Sequence, residues 1–230
     1  MRLKRKWPKP SSFWRALFVL SPLLSGTLCF ASSQGWRLGP GFLIGFPHPI
    51  QINADVRPPE QAFSFAGGVG YLPLTFDVGS DKTSVHLKER NIDGRLRFHP
   101  MKGAFYLGMI VGRQWISASA TKSVDASGVS IPTTINIDLS NFYFTPHLGW
   151  QWVFESTGFF LGFDLGWQIG FRPSNSLDVS IQDPAYSGYT ALIKSTAGYQ
   201  ELETKVNDGL NKLGTMSLPY VTLLHFGWYF

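Results

Sequence analysis

The chain has 230 residues, a net charge of +5, 44% hydrophobic and 15% aromatic residues, and one cysteine, Cys29. Six of its positive charges (Arg2, Lys4, Arg5, Lys6, Lys9 and Arg15) stand near the N-terminus, and without them the net charge is −1. What remains offers no basic surface for nucleic acid, and with Cys29 also set aside it has no thiol for a disulfide or a thiolate metal site.

The basic residues are followed by a mostly apolar run, Ala16 to Phe30, and then by Ala31, Ser32 and Ser33. This order is that of a secretory signal peptide, with cleavage expected after Ala31. Residues 1–31 are read as the signal and residues 32–230 as one domain. The apolar run is short of the roughly 20 residues that a spanning helix needs. Leu28 before Cys29 argues against a lipidated cysteine, where a small residue is expected. An exported chain without a spanning helix is periplasmic, secreted or an outer-membrane barrel.

Eight strands are expected. The first spans Trp36 to Phe46, with Trp36, Leu38, Phe42, Ile44 and Phe46 on one face and mainly glycine and Arg37 on the other. The second, Ile50 to Arg57, alternates Ile50, Ile52, Ala54 and Val56 with Gln51, Asn53, Asp55 and Arg57. The third, Phe63 to Val78, changes its apolar parity midway, which suggests a bulge at Gly67-Gly68 or Pro73. The fourth, Thr83 to His99, opposes Ile92, Leu96 and Phe98 to Asp93, Arg95, Arg97 and His99. The fifth runs from Gly103 to about Ala118 and the sixth from about Thr134 to Phe154.

The seventh is the clearest, and it is expected to extend toward Gln182. From Gly158 to Arg172 the odd positions are Phe159, Leu161, Phe163, Leu165, Trp167, Ile169 and Phe171, while the even ones, Phe160 excepted, are small or polar. Successive side chains of a strand face opposite ways, so this strand has one continuous apolar face. Alternation over roughly ten residues is the signature of a membrane-spanning barrel strand. The eighth, Leu218 to Phe230, places Leu218, Tyr220, Leu224, Phe226, Trp228 and Phe230 outward.

The connections agree with a barrel. Those after the second, fourth and sixth strands are short, as periplasmic turns are, and the others are longer, as extracellular loops are; only Pro47 to Pro49 departs from this. The last loop, Pro173 to Ser217, carries Leu202, Val206, Leu210 and Leu213 at helical spacing, which predicts an amphipathic helix over 201–213. The fold class is therefore all-β: a closed antiparallel transmembrane barrel of about eight strands, with a helix in one long loop.

The chain ends Leu224-His225-Phe226-Gly227-Trp228-Tyr229-Phe230. Phe226, Trp228 and the terminal Phe230 resemble the assembly signal of bacterial outer-membrane proteins, which implies recognition by the barrel-assembly machinery of a Gram-negative cell. From Trp36 to Phe230 the chain is similar in architecture to the small eight-stranded barrels of the OmpA-like transmembrane domain family, without a following peptidoglycan-binding domain.

Arg37, Asp55, Arg57, Asp93, Arg95, Arg97, Asp164 and Arg172 fall on expected inner faces. An eight-stranded barrel has an interior just wide enough for side chains to fill it, and buried charges must be paired. These eight residues are read as a lumen charge network that plugs the barrel; the competing reading is a narrow pore or a conduit for small or hydrophobic molecules. Trp36, Trp150, Trp152, Trp167, Trp228 and Tyr220 are read as membrane-interface aromatics. Ser84 and His86 share a face near Glu89 and offer a lipid-modifying nucleophile and base, but Glu89 has the wrong parity for a triad and the chain is not read as an enzyme. His147 and His225 point inward from different strands and are read as lumen histidines rather than metal ligands. No cofactor is expected. The expected role is structural or interactive, in contact with outer-membrane lipid and lipopolysaccharide, with residues 173–217 available to an extracellular partner.

Overall fold

The computed structural model describes residues 35–59, 62–78, 83–101, 103–126, 129–181, 188, 194–195 and 197–230. The expected signal peptide lies outside them. Eight strands close into one ring in chain order, each antiparallel to its neighbours: β1 (Arg37–Phe46), β2 (Ile50–Arg57), β3 (Phe63–Val78), β4 (Thr83–Phe98), β5 (Phe105–Ala126), β6 (Val129–Phe154), β7 (Phe159–Ile181) and β8 (Ser217–Trp228). One helix, α1 (Ala197–Thr215), precedes β8. The ring closes where β1 meets β8, with Gly41 opposite Gly227, and Leu38 and Phe230 exchange backbone hydrogen bonds of 3.4 and 3.0 Å.

The alternating pattern produces this ring directly. The outer row Phe42, Ile52, Val69, Ile92 runs across four paired strands and is apolar throughout. The inner row beside it includes Gly41, Asn53, Gly68 and Asp93. Towards the short-turn end the outer surface becomes aromatic: Trp150 stacks on Phe163 at 4.9 Å, Phe159 meets both Phe154 and Trp228, and Phe63 meets Phe98. Large apolar side chains such as Val69, Ile92, Leu107 and Trp167 are about half exposed. A closed sheet that turns its greasy face outward and its polar face inward is the inverse of a water-soluble barrel.

Two bulges correct the expected parity. Ile44 pairs with Leu224 but Gly45 pairs with Thr222, so Leu223 is an extra residue in β8. An extra residue exchanges the two faces of a strand. Tyr220 consequently points into the lumen, 2% exposed, and is no interface aromatic; Leu218 changes sides with it. In β7, Asn141 of β6 faces the Arg172-Pro173 pair, and Arg172 has a left-handed φ of 50°. This bulge lets β7 continue through Pro173 to Ile181. The bulge expected in β3 is absent: its pairing with β4 is unbroken from Phe63 to Val78.

Strand lengths are unequal. β1, β2 and β8 have 8–12 residues, whereas β3 to β7 have 16–26. The five long strands rise beyond the ring as a curved wing, in which polarity reverses. The inward row Leu74, Leu87, Ala118, Ile137, Leu177 is apolar on all five strands, and the neighbouring outward row is Pro73, Lys88, Ser117, Asp138, Ser176. α1 covers part of the inward face. Leu139, Leu177 and Val179 are buried there, as is Tyr199 of the helix. Asn175 donates to Asn207 O at 3.2 Å and to Asn211 Oδ1 at 3.1 Å, and Asn141 donates to Gly214 O at 2.9 Å. Gly170 has no Cβ to obstruct that last carbonyl.

Candidate functional site

The lumen is where the chain gathers its chemistry, and inward parity builds it from every strand. At the short-turn rim, Arg37 of β1 makes a two-pronged contact with Glu155 in the β6–β7 turn, at 3.1 and 2.7 Å. Hydrogen bonding to this guanidinium, the leading cause, holds the Glu155 carboxyl below its usual value. Arg57 is buried close by. His99 bonds Ser64 Oγ at 3.1 Å and Gly103 O at 3.3 Å.

The next layer centres on Asp55. It accepts hydrogen bonds from Arg97 and Asn53, and His225 Nε2 lies 3.4 Å from its Oδ2. Arg97 also lies over the Tyr106 ring, whose hydroxyl donates to Asp164. Phe160, the one bulky residue among the even positions of β7, is fully buried and packs on His225 and Tyr229.

Above it, Arg95 donates to Asp93 at 2.9 Å and to Gln51. Gln51 donates onward to Asn91 at 2.7 Å and Asp93 at 2.8 Å, and the Tyr143 hydroxyl donates to Asp93 at 3.1 Å. The top is closed by His48. The short β1–β2 turn folds this side chain into the mouth, where it meets Glu89 at 2.7 Å and Gln168 at 2.9 Å and packs at a tilt against Tyr143. That placement gives the Pro47–Pro49 connection a reason to be short.

Of the eight residues expected in the lumen, Asp55, Arg57, Asp93, Arg95, Arg97 and Asp164 are buried in it, and Arg37 is half-buried at its rim. Arg172 is not: the β7 bulge turns it to the exposed surface. Three buried aspartates stand against three buried arginines, so the interior is close to charge balance. The two histidines are also inside; His147 bonds Thr145 O at 3.2 Å and His225 joins the Asp55 layer. Ser84 and His86 share the outer register, where His86 bonds Thr75 at 3.0 Å, whereas Glu89 points the other way to His48. These three do not assemble.

Sequence reasoning centred on charge left Gln51, Tyr106 and Tyr143 out of the lumen network, although parity turns them inward, and missed His48 and Glu89 altogether. For the two tyrosines a signal lay in the glycines. A methyl group on Gly112 would overlap the Tyr143 ring, one on Gly149 would overlap Tyr106 and Asp164, and one on Gly108 would overlap His147. Large inward side chains lie flat across glycines of the facing strand.

No protein-family model matches the chain, and no curated relative does either. Among solved structures it is similar to Acinetobacter baumannii CarO, at 12% identity and a TM-score of 0.45 over 86% of this chain and 97% of that one. It is also similar to A. baumannii CarO2 (11%, 0.42, 84% and 98%) and to a major outer membrane protein from Thermus thermophilus (12%, 0.41, 85% and 98%).

Proposed function

We propose that this chain is an integral outer-membrane β-barrel of a Gram-negative cell, with a structural or interaction role and a lumen closed to solutes. The observation that carries the membrane reading is the continuous apolar outer face around a polar interior, bounded by aromatics at one end. In water that face would be exposed, and such a surface on a folded protein is expected to meet lipid. Within this reading the short turns are periplasmic and the wing is extracellular. The signal peptide, the OmpA-like affiliation and the use of Phe226, Trp228 and Phe230 by the assembly machinery belong to the same proposal.

The closed lumen is supported by its layers. Each carries a carboxylate held by an arginine, a tyrosine or a histidine, and a pore would have to break several such contacts at once. Breaking one buried ion pair by removing a partner costs about 3–5 kcal/mol. Extracellular partners have the wing, α1 and the rest of residues 173–217 as their surface.

The test uses the full chain produced in a Gram-negative host and purified from its membranes. The folded barrel should run differently on a gel before and after boiling, and should be silent in a planar bilayer. Reproducible conductance steps from the folded form would replace the plug with a pore. Extraction without detergent would overturn the membrane reading itself.

A further inference from the structure

The outer surface changes character over two residues at the wing's base. On β4 and β6 the apolar band ends at Ile92 and Phe142, with Arg113 of β5 between them, and the next outward row is Arg90, Trp115, Ser140, continued on β7 by Ser174. The Arg113 guanidinium lies over two aromatic rings, 5.0 Å from Trp115 and 5.2 Å from Phe142, and reaches Ser140 Oγ at 3.4 Å. Arg90 is exposed and has no hydrogen-bond or ion-pair partner among the described residues.

Above this row the surface is hollowed. One cavity of about 280 Å³ is lined by Arg90, Trp115, Ser117, Asp138, Ser140 and Ser174, among others. A second, of about 190 Å³, shares Ser117 and Asp138 with it and extends upward past Lys88 and His86. The two form a polar track that begins at the edge of the apolar band and climbs the convex face of the wing.

The track offers the chemistry that a phosphorylated sugar needs. A guanidinium binds phosphate strongly and with defined geometry. An indole face packs on the apolar face of a pyranose ring. Serine hydroxyls and a carboxylate exchange hydrogen bonds with sugar hydroxyls. A headgroup of this kind, anchored by acyl chains lying on the apolar band below, would meet all three in that order. We infer that the Arg90–Trp115 track binds the phosphorylated saccharide headgroup of an outer-leaflet glycolipid. This rests on the membrane reading proposed above, and to the expected contact with outer-membrane glycolipid it adds a site and the headgroup chemistry recognised there.

The full chain, purified in detergent after passing the gel-shift test, would be titrated with a bisphosphorylated glucosamine-disaccharide lipid. Three comparison ligands would be used: the same lipid without phosphates, phosphatidylglycerol, and the deacylated phosphorylated disaccharide. Native mass spectrometry would read bound fractions for the parent chain and for Arg90→Gln, Trp115→Ala and Arg90→Lys. The expected result is a preference of about tenfold or more for the phosphorylated glycolipid over all three comparison ligands. Arg90→Gln and Trp115→Ala should each remove it and Arg90→Lys should keep part of it. Equal binding of phosphatidylglycerol, equal binding of the deacylated sugar, or unchanged binding by both Arg90→Gln and Trp115→Ala would overturn the inference. A variant that fails the gel-shift test is replaced by Ser117→Val, which sits in both cavities and should weaken binding. A chain that never enters the membrane fraction would instead bring down the membrane reading, so the two failures are distinguishable.

Discussion

At the scale of single residues, the lumen turns on a few carboxylates. Asp55 faces Arg97, Asn53 and His225 together. Asp55→Ala leaves a fully buried arginine without its counter-charge and should cost about 3–5 kcal/mol, read as a lower urea midpoint for unfolding in lipid vesicles. Asp55→Ala with Arg97→Leu should recover much of that loss, because removing both partners is gentler than stranding one. A double variant no better than the single one would show that Asp55 acts through His225 or Asn53 instead. The rim pair has a pH dependence of known sign. The Glu155 carboxyl titrates below its usual 4.5 because Arg37 holds the ionised form. Its contribution is therefore complete above that value and fades as pH falls through the lowered one. Glu155→Gln should leave stability unchanged at the acid end and reduce it slightly near neutrality, the carboxylate being largely in solvent. A loss that grows on acidification would contradict the assignment.

At the scale of strands, the unit of packing is a large inward side chain laid across a glycine of its neighbour. Gly108→Ala would press on His147 and should cost about 1–3 kcal/mol, as overpacking does. In a His147→Ala background the same change should be nearly neutral, a non-additivity that equilibrium unfolding of the four variants would measure. On the outer face, Met109 sits between Leu107 and Val111 in the apolar stretch of β5. Met109→Lys should cost about 2–4 kcal/mol in a bilayer while leaving detergent-solubilised protein little changed. Equal losses in both would argue against lipid contact there. Much of this was legible from parity: the bounds of β2 and β3, the inward charges of β4 and the helix before β8 follow from residue type at alternate or helical spacing. Tyr220 and Arg172 were not, because a single extra residue, Leu223 or the one at Arg172-Pro173, reverses the faces beyond it and leaves only a faint composition signal. The upper ends of β5 and β6 were also underestimated. Their outward serines and inward Ile and Leu alternate in the opposite sense to the barrel below, so a pattern sought with apolar residues outward breaks off where it only reverses. His48 and Glu89 came together through a turn and a strand far apart in sequence, a pairing that no local spacing reveals.

At the scale of the molecule, the ring and the wing divide the labour. The ring has no free edge, since β1 completes β8, which removes the exposed strand edges that lead sheets to aggregate. The wing does have edges, at β3 and β7, and there α1 lies along β7 and ties it by Asn175. Replacing Asn175 and Asn141 together by alanine should loosen α1 without opening the ring, seen as faster proteolysis within residues 197–215 and an unaltered gel shift. Loss of the gel shift would mean that the helix is needed for the ring itself. The hydrogen bonds between Leu38 and Phe230 carry a further consequence. Where the first and last strands are neighbours, the point at which the polypeptide is cut is not dictated by the geometry of the ring. A chain rearranged so that a short flexible link joins Phe230 to Gly35, and so that it opens at the exposed Met101 in the β4–β5 turn, should trace the same eight strands in a rotated order. Refolded into lipid vesicles, where no assembly machinery reads the C-terminal signal, such a circular permutant should keep the heat-dependent gel shift, with its ends displaced by half the circumference.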